Sequence, residues 1–207
     1  MLMRAAMLRP ELVRIAEMVE ASARVLDVGC GDGALLEHLA RTKNVDARGI
    51  ELSQAGVNAS VARGLSVIQG DADTDLAEYP PRAFDFVILS QTIQATRQPK
   101  IVLEQLLRIG RCVIVSFPNF GFWKIRLKLA LHGRMPITGT LSHPWYETPN
   151  IHLCTIADFV ALARQLDARI DRALAVDESG EVRALSQPGY FDNLTAAGAI
   201  ILLSRAG

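Results

Sequence analysis

The sequence predicts an α/β fold: a single domain over residues 1–207 with a mostly parallel seven-stranded sheet, an antiparallel last strand and helices on both faces. Three observations predict it. Short apolar, β-branched runs alternate with segments of helical spacing through the first half of the chain, the pattern of parallel strands joined by crossover helices. The stretch Ala23 to Ala40 carries a buried-type strand into a helix through Gly29-Cys30-Gly31-Asp32-Gly33, with glycine at alternate positions. The chain of 207 residues, 50% of them apolar, fills one core of ordinary size.

Taken in order, Pro10 starts an amphipathic helix over 10–21, with Leu12, Ile15, Ala16 and Val19 on one face. Arg24 to Val28 is the first strand, and residues 34–40 have helical spacing. Asp46 to Ile50 is the second strand; Ser53 caps a helix to about Arg63, in which Gly56 is a weak point. Leu65 to Gln69 is the third strand, closed by Gly70-Asp71-Ala72-Asp73, and paired prolines mark Thr74 to Pro81 as loop. Phe84 to Leu89 is the fourth strand, residues 99–109 form a helix stopped by Gly110, and Arg111 to Phe117 is the fifth strand.

Beyond Phe120 the pattern loosens. A short basic and apolar helix breaks at His132-Gly133, and residues 134–153 read as a long cover or partner-binding loop. Thr155 caps a helix ending near Gln165, and Arg169 to Val176 is the sixth strand. Gly180 to Thr195 is a polar hairpin or loop, and Ala199 to Ser204 is the final, antiparallel strand. Arg111, Lys124, Arg126, Lys128 and Arg134 make a locally basic region, read as helix solubility in preference to a partner patch. Phe120, Phe122 and Trp123 beside it fit a protein interface or core packing.

Composition excludes several classes. Lys plus Arg and Asp plus Glu both number 22, which argues against broad nucleic-acid binding through phosphate neutralisation. Cys30, Cys112 and Cys154 are too few and too scattered for a disulfide framework or a zinc site. Cys30 and Cys112 read as small core residues, and reduced cytoplasm is the expected location. Met1 to Leu8 lacks a signal-peptide core, and no run reaches transmembrane length, so no membrane role is expected. His132, His143 and His152 show no metal spacing, and no Ser–His–acid order supports hydrolysis.

The glycine loop predicts a small-molecule site, because such loops direct free N–H groups over the carboxyl end of a strand. Dinucleotide folds favour G-x-G-x-x-G; here Ala34 holds the later position. Asp27 and Asp32 would also repel a pyrophosphate unless they point away. A ligand with an ammonium group suits these carboxylates better. Glu51, ending the second strand, can accept from ribose hydroxyls, and Asp71, ending the third, from an exocyclic amine. Singly, each acidic residue fits a helix cap or a solvated loop; together they point to one extended ligand. A nicotinamide-dependent oxidoreductase shares the glycine loop and Glu51 but leaves Asp27, Asp32 and the missing later glycine unexplained.

Through Asp27-Val28-Gly29-Cys30-Gly31-Asp32-Gly33, Gly49-Ile50-Glu51 and Gly70-Asp71-Ala72 the sequence resembles the class I S-adenosylmethionine-dependent methyltransferases, over about Ala23 to Ser204. The resemblance implies a Rossmann-like sandwich with the last strand between the fifth and sixth. It also implies S-adenosylmethionine or S-adenosylhomocysteine bound by Asp27, Gly29, Cys30, Gly31, Gly33, Glu51, Leu52, Asp71, Ala72 and Ser90. Within that class, Ser90-Gln91-Thr92-Ile93-Gln94, Ser116 to Gly121 and Trp145 to His152 resemble the MetW family of methionine biosynthesis proteins. That likeness implies cytoplasmic work in methionine formation with homoserine O-acyltransferase as partner.

Methyl transfer needs alignment and water exclusion more than acid–base machinery, since the sulfonium donor is already activated. Gln91, Gln94, Asn119, Trp145, Tyr146, Glu147 and His152 are the candidates for an acceptor side, with His143 a further candidate base. No catalytic residue stands out, and a regulatory subunit that binds the acyltransferase without chemistry is the alternative.

Overall fold

A computed structural model describes residues 8–139, 141–186 and 188–205. Met1 to Met7, most of the segment judged to lack a signal-peptide core, lie outside the described residues. The elements are α1 (Pro10–Met18), β1 (Arg24–Val28), α2 (Ala34–Lys43), β2 (Asp46–Glu51), α3 (Gln54–Ala62), β3 (Ser66–Gln69), β4 (Phe84–Ser90) and α4 (Pro99–Ile109). They continue with β5 (Gly110–Pro118), α5 (Trp123–His132), α6 (Ile156–Gln165), β6 (Ala168–Val176), β7 (Val182–Leu185), α7 (Tyr190–Thr195) and β8 (Gly198–Arg205).

The strands form one sheet in the order β3-β2-β1-β4-β5-β8-β6-β7. The pairs among β3, β2, β1, β4 and β5 are parallel, and β8 runs antiparallel between β5 and β6. The position expected for the last strand is therefore observed. The sheet has eight strands, one more than the sequence pattern predicts. The polar stretch 180–195 holds β7, a four-residue edge strand paired with β6, and the short helix α7. Its alternation is masked by Arg183 and by exposure on an edge, where one face and one side of the strand meet water. Helix α1 also ends at Met18 rather than residue 21, because Val19 is already extended.

Period-two alternation sorts the central strands onto two cores. Leu26, Val87, Val113 and Val115 face one way and pack under Leu103 and Leu106 of α4 and Phe159 of α6. Val25, Phe86, Ile88 and Ile114 face the other way and are covered by Leu12 and Ile15 of α1 and Leu35 and Leu39 of α2. This places helices on both faces of the sheet; open α/β sheets bind ligands at the carboxyl ends of their parallel strands. The two predicted N-caps are present: Ser53 Oγ accepts from Gly56 N–H at 3.0 Å, and Thr155 Oγ1 from Asp158 N–H at 3.1 Å. Among the described residues no helix is long and apolar enough to cross a membrane.

The basic region predicted around α5 is dispersed. Lys124 pairs with Glu178, Arg111 with Asp85, and Arg126 and Lys128 donate to the Gly121 and Ile137 carbonyls. Phe122 is core, while Trp123 is substantially exposed.

Candidate functional site

The site is built at the carboxyl ends of β1, β2, β3 and β4, adjacent strands of the sheet. The loop after β1 is tied to β2: the N–H groups of Gly29 and Cys30 both donate to the Ile50 carbonyl, at 2.8 and 3.2 Å. Gly29 and Gly31 have φ angles of 75° and 58°, the left-handed region that glycine adopts without steric penalty. Their surroundings differ. A Cβ at Gly29 would lie 2.6 Å from Thr92 Oγ1, whereas one at Gly31 would meet nothing within 4 Å. Gly29 thus permits close packing on the residues after β4, and Gly31 has open space on its Cα side while its N–H and carbonyl are held by Glu51 and Ser60.

Glu51, at the end of β2, holds the loop in place. One carboxylate oxygen accepts from Gly31 N–H at 2.8 Å, the other from Ser53 N–H at 2.9 Å. Both oxygens keep lone pairs for further donors. The Glu51 carbonyl accepts from Gly70 N–H at 3.1 Å, which brings the end of β3 alongside. There Asp71 is half-buried and accepts from Asp73 N–H at 2.9 Å. Leu52 is exposed between these two strand ends, and Ala72 packs at the margin of the core.

Asp32 turns away from the site: it accepts from Ala34 N–H and pairs with Arg63 at 2.6 Å. Asp27 does not. It is 3% exposed, and its Oδ1 is buried with no hydrogen-bond partner. Burial, and then the nearby Glu51 carboxylate, push its carboxyl up to about 7. A buried acceptor oxygen without a donor is costly in a folded protein, and a cation at that point would satisfy it. Cys30 is buried beside it, and burial, with the Asp27 and Glu51 charges, pushes its thiol up to about 12. It is a neutral packing residue rather than a nucleophile.

After β4, Ser90 Oγ lies 3.1 Å from Ser116 Oγ of β5. Gln91 adopts φ 53°, and its N–H donates to the Ser116 carbonyl at 2.9 Å. Non-glycine residues in that region carry backbone strain that the surroundings must hold, a feature concentrated at functional sites. The restraint comes partly from a residue that the sequence pattern missed. Glu11 of α1 accepts on one oxygen from Ser116 Oγ at 2.5 Å and from Gln91 Nε2 at 2.9 Å. An acidic residue in the first turn of a helix reads as an ordinary dipole partner. Its position between Pro10 and the buried Leu12 was the available signal.

The predicted acceptor-side residues separate into two groups. Gln91 and Gln94 line a cavity of about 380 Å³ together with Glu11 and His143. Gln94 donates to the Gln91 carbonyl at 2.9 Å, and its main-chain carbonyl accepts from the Ile151 and His152 N–H groups. Asn119 is not available to a ligand. It is fully buried, its Nδ2 donates to the Asn193 and Ala196 carbonyls at 2.8 Å, and its Oδ1 accepts from Gly121 and Ile156 N–H. Trp145, Tyr146 and Glu147 stand exposed, the two rings packed edge to face at 5.7 Å, and none lines the cavity. His152 is exposed, with Nε2 3.4 Å from the Arg97 carbonyl. Among the described residues no group of His, Cys, Asp or Glu side chains is arranged to hold a metal ion.

The strand order, the antiparallel β8 and the glycine loop facing acidic strand ends define an α/β protein of the class I S-adenosylmethionine-dependent methyltransferase fold. The chain is similar to a S-adenosylmethionine-dependent methyltransferase from Thermotoga maritima, with TM-score 0.70 and 17% identity over 95% of this chain and 88% of that one. It is also similar to one from Archaeoglobus fulgidus, with TM-score 0.64 and 14% identity over 95% and 92%. Residues 9–203 match the family described as methionine biosynthesis protein MetW, and the chain belongs to that family. The bifunctional methionine biosynthesis protein MetXA/MetW of Rhodopirellula baltica is 35% identical over 200 residues, 92% of this chain and 32% of that protein. The chain spans about a third of the length of the curated relatives it matches.

Proposed function

We propose that the carboxyl edge binds S-adenosylmethionine or S-adenosylhomocysteine, and that the chain acts in methionine biosynthesis beside a homoserine O-acyltransferase. The observation that carries the ligand reading is the buried, unpartnered Oδ1 of Asp27 next to the open space at Gly31. The ligand's ammonium group satisfies the first, and its methionine portion lies over the second. Glu51 then receives the ribose hydroxyls, and Leu52, Asp71 and Ala72 border the adenine. Gly29, Cys30 and Gly33 shape the loop, and Ser90 adjoins the methionine end. S-adenosylmethionine supplies an activated methyl group on sulfonium; the residues of this chain bind, orient and shield it. The fused architecture named for the Rhodopirellula baltica relative, MetXA/MetW, supports the acyltransferase as partner.

A regulatory role without chemistry is the second reading. It is favoured by the commitment of Asn119 to backbone partners and the outward position of Trp145, Tyr146 and Glu147. Calorimetric titration with S-adenosylmethionine, S-adenosylhomocysteine and NADH tests the ligand. Binding of the first two and none of NADH is expected; the reverse pattern turns the protein into a nicotinamide binder. Co-purification with the acyltransferase, and its rate with and without this chain, tests the partner. Methyl transfer is tested by release of S-adenosylhomocysteine on incubation with candidate acceptors.

A further inference from the structure

The cavity of about 380 Å³ lies between the first turn of α1, the residues after β4 and the cover loop; its lining residue Gln91 is followed by Thr92, which packs on Gly29 of the glycine loop. This volume falls at the small end of the ~300–1,000 Å³ typical of small-molecule pockets. Its charged lining is one cation and one anion, Arg9 and Glu11. They are two residues apart at the start of α1, a spacing at which side chains do not face each other, and no ion pair joins them among the described residues. Arg9 is exposed, and its guanidinium has no hydrogen-bond or ion-pair partner there. Glu11 has one oxygen engaged by Ser116 and Gln91, which leaves the other for a donor.

We propose that this cavity binds a small zwitterion of the α-amino-acid class, with its carboxylate on Arg9 and its ammonium group on Glu11. The proposal rests on the nucleotide reading only in taking this cavity as the neighbour of that site. A simple anion would be attracted by Arg9 and repelled by Glu11, and a simple cation the reverse; a dipolar ion uses both. Gln94 also lines the cavity; it is 4% exposed, with its Nε2 fixed on the Gln91 carbonyl and its Oε1 buried without a hydrogen-bond partner. The free oxygen of Glu11 calls for a donor of several hydrogen bonds, which an ammonium group is. Val176 at the end of β6 and Ala199 at the start of β8 add apolar surface to the lining for a short side chain.

The test is calorimetry with L-homoserine and L-2-aminobutyrate, each against its amino alcohol, which lacks the carboxylate, and its N-acetyl derivative, which lacks the ammonium group. Titrations are run with and without saturating S-adenosylhomocysteine. The zwitterions are expected to bind at least tenfold tighter than either control. Glu11→Gln and Arg9→Gln are each expected to weaken them at least tenfold; the exposed Arg9 tests the idea even where the Glu11 change disturbs α1. Zwitterions that bind no better than both controls overturn the proposal, whether or not S-adenosylhomocysteine binds. Failure of S-adenosylhomocysteine alone to bind overturns the nucleotide reading and leaves the zwitterion result to stand on its own.

Discussion

The Glu51 carboxylate accepts the backbone N–H of Gly31 at 2.8 Å, across two strand ends, so the second strand's acid holds the first strand's loop. A residue predicted to touch ribose is therefore also the clasp of the glycine loop. Glu51→Ala removes acceptors from two N–H groups, Gly31 and Ser53, and is expected to lower stability by about 1–3 kcal/mol. It should also weaken S-adenosylmethionine at least tenfold. Asp71→Ala gives up one accepted bond, so affinity should fall with a smaller loss of stability. Thermal melts and titrations of both variants check this, and unchanged affinity in both rejects the assigned contacts.

Asp27 makes both stability and binding depend on pH. Its folded carboxyl is raised from 3.8 to about 7, so the folded ligand-free chain keeps a proton that the unfolded chain releases. Stability contributed by this group is present at low pH and is lost as pH rises between those values. Asp27→Asn should therefore stabilise the ligand-free protein by about 1–3 kcal/mol near neutrality and above, and by little at acid pH. Affinity for S-adenosylmethionine should show the opposite trend in the wild type, rising as the carboxylate forms, and Asp27→Asn should flatten it. Melting curves and titrations across that pH range provide the comparison.

Alanine at the two loop glycines should produce different failures. Gly31→Ala meets open space and bears only the strain of its positive φ, about 1 kcal/mol, so the protein should fold while ligand affinity falls. Gly29→Ala adds a contact of 2.6 Å with Thr92 Oγ1 and should lose more stability than Gly31→Ala. Equal melting temperatures for the two variants would contradict the distinction between packing and open space.

Asn119 should report on the fold rather than on an acceptor. Asn119→Ala strips partners from four buried backbone groups and is expected to cost about 3–5 kcal/mol, seen as a large fall in melting temperature. Nucleotide affinity measured well below the melting temperature should change little.

Much of this was legible in the sequence because it follows from local pattern. Buried parallel strands announce themselves by apolar runs, and Ser53 and Thr155 cap their helices as their positions suggest. The residues proposed for the donor side sit at strand ends, which the same runs locate. What stayed hidden depends on contacts across the fold. Glu11 meets Ser116 over a separation of 105 residues, and its place between Pro10 and Leu12 hints at a buried side without naming the partner. Asn119 reads as an acceptor-side residue in the sequence, yet main-chain groups of Gly121, Ile156 of α6, Asn193 of α7 and Ala196 surround it. β7 is four residues long, at an edge and set in a polar stretch, so its pairing with β6 rather than its surroundings in the sequence makes it a strand.

The placement of β8 between β5 and β6 also sets the order in which the sheet can be completed. Until residues 198–205 emerge from the ribosome, β5 has one bare side and the β6–β7 hairpin has no neighbour to join. The nascent chain thus carries an unfilled slot in its centre rather than at its rim. Any neighbour that grasped the β5 edge early would compete with the chain's own closing strand.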